Sequence, residues 1–417
     1  MSQDHPAERE AAAAIIRELG LSPARLGERE LFPDLAARAY LNHAAVSPPS
    51  LAVRRIMERC LDDYGRQGLG AYFPWHDRRV ALRGVLARLI GARPDDLVLV
   101  ANATTGVIDI AMCLPWQPGD RILCFRGEFP TNVTPWQRAA EFHGLDLELL
   151  ELEPFMRSRA EGLAALEREL ERGARLVAVS AVQFSSGLRM PLAEMAGLCH
   201  RHGAEIFVDA IQACGAVPLD VASDDIDYLT CGGHKWLMAV EGTGFLFVAP
   251  RCAEALRPVI AGWLSHQDAV TFLTDGPGHL RYDRGFKAGP ARLEVGSCST
   301  VGFAGLEASL AAIQSIGVTA IHAHVNGYLD QLEPLLVDRG FRSLRSSDPA
   351  ARSAILSVQP PDGIDIIALN RVLGDRGIAC STPDGALRFA PHWPNHRDEI
   401  PAIVEAVDAA LDAQRRR

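Results

Sequence analysis

Lysine is nearly absent from this chain of 417 residues, whose 42 basic residues are 40 arginines plus Lys235 and Lys287. An arginine guanidinium stays protonated and does not form imines under ordinary conditions, whereas a buried lysine amine readily loses its proton and becomes nucleophilic. Any chemistry that needs a lysine amine is therefore restricted to two residues.

A basic surface and a long apolar segment are also missing. The net charge of −10 argues against a nucleic-acid partner, because phosphate contacts need a basic face. No apolar run approaches the roughly 20 residues of a membrane helix, so we expect no membrane partner. The acidic start of the chain lacks the pattern of a secretion signal, and we expect a cytoplasmic protein.

Motifs for metals and nucleotides are absent as well. The nine cysteines are scattered, and no pair has the CxxC spacing of a zinc or redox site, so no metal is predicted. Neither a GxGxxG fingerprint nor a P-loop is present, which leaves a dinucleotide or ATP site without support. With 48% hydrophobic residues, the chain has the composition and the length of a globular protein with two domains.

From about residue 95 onwards, short apolar runs alternate with amphipathic helical stretches. This pattern predicts an α/β fold whose central sheet is mainly parallel, seven-stranded and buried on both faces. Such sheets bind ligands at the carboxyl ends of their strands. The predicted strands are Leu97–Ala101, Arg121–Phe125, Leu147–Leu152, Leu176–Gln183, Glu205–Asp209, Tyr228–Cys231 and Gly244–Ala249.

The pattern changes after about residue 285, where long helices precede short strands and a final helix. We therefore predict a large domain over residues 36–285 and a smaller α+β domain over 286–417. Residues 1–35 are predicted to form an N-terminal helix and arm that pack on the smaller domain.

Two predicted strands end in residues that suit one cofactor. Asp209 and Gln212 follow one strand, and His234 and Lys235 follow the next, with the lysine 26 residues after the aspartate. Pyridoxal 5'-phosphate requires a lysine that holds its aldehyde and a carboxylate that keeps its pyridine nitrogen protonated. A surface salt bridge is the alternative interpretation, but surface lysines are rarely followed by Trp-Leu-Met.

The remaining needs of this cofactor have candidates too. Thr104 and Thr105 stand before a helical run and would offer hydroxyls and backbone donors to a phosphate, although Thr-Thr at this place is also typical of a simple helix cap. Phe129, just past a predicted strand, would place a flat ring against the cofactor, or be an ordinary core residue.

At this point the sequence resembles the class V aminotransferases, fold-type I pyridoxal-phosphate enzymes that include cysteine desulfurases, kynureninases and isopenicillin N epimerase-like proteins. The motif that carries the resemblance is V-D-A-I-Q followed by H-K-W-L and E-G-T-G-F-L-F-V, and the likeness extends from about Tyr40 to Asn395. The resemblance implies that Lys235 forms the Schiff base, that Asp209 pairs with the pyridine nitrogen, and that Gln212 donates to the phenolic oxygen.

The resemblance also implies the outer contacts of the site. Phe129 would stack on the ring, while Thr104 and Thr105 would hold the phosphate with His234 beside it. Trp263 and Ser297 match residues that reach the phosphate from the partner subunit, which implies a homodimer with its active site at the subunit interface.

The substrate implied is an α-amino acid, a small molecule. Arg388, in Leu-Arg-Phe-Ala-Pro-His, matches the arginine that binds the substrate α-carboxylate. Asn42 and His43 fall where relatives bring an N-terminal loop to the site, and a capping role is an equal alternative. Gln183, at the end of a predicted strand, would touch the substrate or the cofactor, or make a simple strand-end hydrogen bond.

Two departures from the family pattern bear on the reaction. Gly232 stands where many desulfurases have a phosphate-binding serine, so one hydroxyl is lost. Only six residues separate Ser381 from Arg388, too few for the mobile loop that carries the persulfide-forming cysteine of related desulfurases. We therefore interpret Cys380 as structural.

Several interpretations of the reaction type stay open. The first is a class V aminotransferase or a carbon–sulfur lyase without a protein persulfide. The alternatives are a kynureninase-like hydrolase or an amino-acid epimerase, although kynureninases carry Asp where Asn132 stands and Tyr where His234 stands. A non-catalytic interaction module of the same fold is a further alternative, against which the set of Asp209, Lys235 and Arg388 argues.

Overall fold

The main feature of the computed structural model, which describes residues 6–415, is a seven-stranded mixed sheet. In chain order the strands are β1 Ala39–Tyr40, β2 Leu97–Val100, β3 Arg121–Phe125, β4 Asp146–Leu150, β5 Leu176–Ser180, β6 Glu205–Asp209, β7 Tyr228–Gly232, β8 Gly244–Val248, β9 Arg342–Ser343, β10 Leu356–Gln359, β11 Ile378–Ala379 and β12 Leu387–Phe389. The order across the central sheet is β2-β8-β7-β6-β5-β3-β4. Only β8 runs antiparallel to its neighbours, so the predicted mainly parallel sheet of seven strands is confirmed.

Every residue of β5, β7 and β8 is buried, as expected for strands covered on both faces. The helices are α1 Pro6–Glu18, α2 Leu51–Gln67, α3 Leu69–Ile90, α4 Ala103–Cys113, α5 Thr134–His143, α6 Glu153–Arg157, α7 Arg159–Leu170, α8 Leu192–Arg201, α9 Pro250–Ala253, α10 Thr271–Thr274, α11 Thr300–Ile316, α12 Val318–Val337, α13 Ile366–Asp375 and α14 Ile400–Arg415. Among them, α4 packs on β7 and β8, and α8 packs on β6.

The C-terminal part of the chain has a different architecture. Strands β9, β10 and β12 form a three-stranded antiparallel sheet, next to which α12 packs. The N-terminal helix α1 lies against α11, and β1 pairs in parallel with β11. These contacts connect the N-terminal part of the chain with elements after residue 299. The division into domains at about residue 285 stays a prediction.

No single helix within residues 6–415 is long and apolar enough to cross a bilayer. The successive helices α11 and α12 pass the same test only as a pair, with a bend of 75° between them.

The predicted strand that corresponds to β5 was too long at its carboxyl end, which is the end that faces the site. The sequence predicts a strand over 176–183, but β5 ends at Ser180. Val182 forms an isolated antiparallel bridge with Arg189, and the Gly187 amide donates to the Gln183 carbonyl at 2.8 Å. The prediction that Gln183 ends a strand is therefore wrong, because the chain already turns there.

The parallel register brings the predicted cofactor residues to one edge. Asp209 is the last residue of β6 and pairs with Thr230 of β7, while Lys235 lies just beyond the end of β7. Because parallel strands end on the same side of the sheet, the carboxylate and the amine lie close together.

Candidate active site

A cavity of about 480 Å³ opens at this edge of the sheet. Seven of the residues predicted for the site contribute to its lining: Thr104, Phe129, Asp209, Gln212, His234, Lys235 and Arg388. The structure thus brings together residues that lie as far apart as 284 positions in the sequence.

Lys235 lies in the turn that follows β7. Its side chain is buried at 8% exposure, and no acceptor within residues 6–415 takes a hydrogen bond from Nζ. Burial lowers the pKa of this amine to about 8, although the nearby Asp209 raises it. A buried amine with a lowered pKa and no hydrogen-bond partner is the form of lysine that attacks carbonyl carbons.

Asp209 is buried at the end of β6. One of its carboxylate oxygens accepts a hydrogen bond of 3.0 Å from the Ile211 amide. Burial raises the pKa of Asp209, and the bond from Ile211 and the charge of Lys235 lower it by less. The pKa shifts of Asp209 and Lys235 are thus opposite to those of a strong ion pair, which indicates that burial outweighs their mutual attraction.

Two aromatic rings stand beside the lysine. The Nζ atom of Lys235 lies 5.1 Å from the centroid of the Phe129 ring. Phe184 meets Phe129 edge to face, with ring centroids 5.4 Å apart. Phe129 is 42% exposed and lines the cavity, so its ring is accessible to a flat ligand.

The first turn of α4 provides donors for an anion. Asn102 caps this helix by accepting the Thr105 amide at 2.9 Å, and the Thr105 hydroxyl also donates to Asn102. The hydroxyl of Thr104 lies 2.8 Å from that of Thr131, and both threonines line the cavity. Helix N-termini with neighbouring hydroxyls are typical phosphate sites. Thr105 itself borders an adjacent cavity instead.

Arg388 is a buried cation that forms no ion pair with an acidic side chain in the described part of the chain. Its Nη1 donates to the Phe184 carbonyl at 2.9 Å, and its Nε donates to the Ser381 hydroxyl at 3.2 Å. Burial lowers the pKa of Arg388 to about 10, which is still high enough for a full charge at neutral pH. A buried guanidinium that lacks a carboxylate is well suited to bind that of a ligand.

Gln212 and His234 both line the cavity. The Gln212 side chain donates to the Ala44 carbonyl at 3.0 Å and accepts from Trp236 Nε1 at 2.7 Å. It therefore has one remaining amide hydrogen for a cofactor oxygen. Burial and the charge of Lys235 lower the pKa of His234, which favours a neutral imidazole.

Three predicted residues lie outside the cavity lining. His43 contacts Ser47 Oγ with its Nδ1 at 2.7 Å, Asn42 bridges to Ala390, and Gln183 donates to Glu128 at 2.8 Å. Each of these three residues is at least half buried. Their predicted contacts with the substrate stay predictions, because none of the three residues lines the cavity.

Trp263 and Ser297 also lie away from the Lys235 cavity. Trp263 is 44% exposed, and Ser297 lines the adjacent cavity of about 630 Å³ that Thr105 borders. Within one subunit neither residue lines the cavity of Lys235, so their predicted role requires a second copy of the chain.

Sequence reasoning missed three residues that shape this site. Ser47 donates to the Lys235 carbonyl, Glu128 binds Gln183, and Phe184 contacts both Phe129 and Arg388. Glu128 carried a usable signal, because it is an acid in the short connection between the buried strand β3 and Phe129. Ser47 and Phe184 had none, since their roles depend on contacts across the fold.

These residues fit pyridoxal 5'-phosphate by the chemistry of their groups. Lys235 presents a free amine and Asp209 a carboxylate, Phe129 offers a ring face, and the α4 terminus offers phosphate donors. The buried Arg388 remains as the anchor for a substrate carboxylate.

Comparison with protein families decides the assignment. Residues 76–388 match the family model of the class V aminotransferases, a range that contains both Lys235 and Arg388. The chain belongs to the class V aminotransferase family. Enzymes of this family use pyridoxal 5'-phosphate, so the cofactor and the enzyme class predicted from the sequence are confirmed.

Individual class V relatives differ in the reactions that their names describe. The chain is 30% identical to isopenicillin N epimerase of Streptomyces clavuligerus over 78% of this chain and 83% of the relative. It is 26% identical to a kynureninase of Xanthomonas campestris pv. campestris over 87% and 86% of the two chains. The solved complex of the cystine C–S lyase C-DES with cysteine persulfide superposes with a TM-score of 0.83 at 23% identity, and covers 90% of this chain and 98% of that one. The last comparison shows the shared fold.

Proposed function

We propose that this class V enzyme acts on an α-amino acid and that Lys235 alone carries the proton to and from Cα, as in an aminotransferase or a carbon–sulfur lyase. When bound, the cofactor supplies a ring that accepts electrons from Cα. The observation that carries the proposal is the pairing of Lys235, a buried amine of lowered pKa, with Phe129, which neither accepts nor donates a proton.

The chain's own residues would divide the remaining tasks. Arg388 would bind the α-carboxylate and so present the Cα proton to Lys235. Asp209 would hold a proton on the pyridine nitrogen, for which its buried position beside β7 is suitable. Thr104 and the α4 amides would bind the phosphate.

The proposed substrate has an uncharged side chain. Within the described chain, the charged residues of the cavity lining are Asp209, Lys235 and Arg388, and each already has a task. Two apolar residues, Phe184 and Pro383, also line this cavity, and the Phe184 carbonyl accepts from Arg388. A charged substrate side chain would lose its hydration there without gaining a partner.

A mechanism without a protein persulfide is part of this proposal. The Cys380 thiol donates to Asn370 at 3.1 Å and lies outside the lining of the cavity. Burial raises the pKa of Cys380 to about 12, which keeps the thiol protonated and poorly nucleophilic at neutral pH.

Epimerisation is the second candidate, favoured by the 30% identity to isopenicillin N epimerase. Epimerisation at Cα needs either a proton-transferring group on each face of the substrate Cα or a single base that reaches both faces. A kynureninase-like hydrolase has less support, because Asn132 is buried and accepts from Trp136 at 3.1 Å rather than lining the cavity.

We also propose a homodimer. Trp263 and Ser297 line no part of the Lys235 cavity in one subunit, and the Trp263 side chain is exposed. A second copy would cover this surface and complete the phosphate site.

The test is to incubate the cofactor-loaded enzyme with neutral, acidic and basic amino acids and to identify the products. Conversion of the cofactor to its amine form together with an α-keto acid indicates transamination. Pyruvate with sulfide or persulfide from cysteine or cystine indicates lyase activity. Inversion at Cα without either product would favour the epimerase and contradict the proposal, as would a preference for charged amino acids.

A further inference from the structure

Glu128 is a buried acid that the proposed chemistry does not use. It is 6% exposed and does not line the active-site cavity. Its carboxylate accepts the Ser180 amide at 2.7 Å, the Gln183 side chain at 2.8 Å, and the Ser180 hydroxyl. Burying a carboxylate is unfavourable unless donors surround it, so three donors on one acid indicate a specific arrangement.

These hydrogen bonds connect two loops that form the cavity. Glu128 directly precedes the loop of Phe129 and Thr131, which carries the ring beside Lys235. Ser180 is the last residue of β5, and Gln183 lies in the segment that follows this strand and continues into Phe184. The Phe184 carbonyl in turn accepts from Arg388, so one acid links the stacking ring to the support of the carboxylate anchor.

We propose that Glu128 is a positioning residue that fixes the loop of residues 129–131 against the segment 180–184 and thereby orients both Phe129 and Arg388. It touches neither substrate nor cofactor. The inference depends on the proposed function only for its kinetic consequence, since the connection between the two loops exists in the protein itself.

The sharpest test compares Glu128→Leu with Glu128→Gln in the cofactor-loaded enzyme. Glutamine keeps an oxygen for the Ser180 and Gln183 donors, and its amide can donate to the Ser180 hydroxyl. Leucine has a similar size and accepts nothing. We expect Glu128→Leu to increase hydrogen–deuterium exchange in residues 126–132 and 180–188 and to raise KM for the amino acid about tenfold or more. Glu128→Gln should stay within about threefold of the original KM.

Tyr228→Phe is the matched control. It removes a different hydrogen bond to a carboxylate, the partly buried one from Tyr228 to Glu205 at 3.0 Å, and neither residue lines the cavity. This variant should lower Tm without changing KM or exchange in the two segments. If Glu128→Leu does not fold, Gln183→Leu breaks the same connection from the other side and should increase exchange in both segments.

Two results would overturn the inference. Exchange and KM of Glu128→Leu equal to those of the unmodified enzyme would show that the connection positions nothing. Equal losses in Glu128→Gln and Glu128→Leu would show that the charge matters rather than the hydrogen bonds. Because exchange is measured without substrate, a wrong substrate assignment would change only the kinetic readout and leave the exchange result interpretable.

Discussion

Ser47 donates a hydrogen bond of 2.6 Å from its hydroxyl to the carbonyl oxygen of Lys235. The same hydroxyl lies 2.7 Å from His43 Nδ1, and the Ser47 amide donates to the His234 carbonyl at 2.8 Å. Burial lowers the pKa of His43 well below its usual value, so the imidazole is neutral. The N-terminal loop therefore stabilises the turn that carries Lys235 through the hydrogen bonds of Ser47. His43 has a structural role, because it contacts the Ser47 hydroxyl.

Ser47→Ala should lower the free energy of unfolding by about 1–3 kcal/mol, because it leaves the Lys235 carbonyl and the His43 imidazole without their partner. Thermal or denaturant unfolding measures this change. Ser223→Ala removes an exposed hydroxyl and should change stability by no more than about 0.5 kcal/mol. Equal stability of the two variants would contradict the supporting role of Ser47.

The attachment of cofactor to Lys235 should depend on pH. Since burial lowers the pKa of Lys235 to about 8, the neutral amine fraction rises with pH and reaches one half near that value. In cofactor-free protein, acylation of Lys235 by a limiting amine reagent should therefore increase with pH and level off above about 9. Mass spectrometry assigns the label directly, because Lys287 is the only other lysine. A midpoint near the 10.4 of a solvated lysine would contradict the described environment.

Arg388→Gln should weaken binding of the amino acid while cofactor remains attached. Loss of a charge-assisted pair with the α-carboxylate amounts to about 2–3 kcal/mol, or a KM raised about 30- to 150-fold. Steady-state kinetics measures the effect. The exposed Arg371→Gln should leave KM unchanged. If both variants kept the original KM, a different group would have to bind the carboxylate.

The sequence predicted those features that depend on local pattern. The strand Glu205–Asp209 follows from its apolar run, and the cofactor from one carboxylate and one lysine at neighbouring strand ends. The strand predicted over 176–183 was too long, because β5 ends at Ser180 and Val182 instead forms an isolated bridge with Arg189. Contacts such as Ser47 with Lys235 were not predictable, since they join segments 188 residues apart.

The most direct test of the account is to reduce the cofactor-loaded protein with borohydride, digest it and locate the cofactor by mass spectrometry. We expect the pyridoxyl mass on the peptide of Lys235 and not on that of Lys287. We also expect Lys235→Ala to be colourless and unlabelled. Label on Lys287, or a protein that binds no cofactor at any concentration, would contradict it.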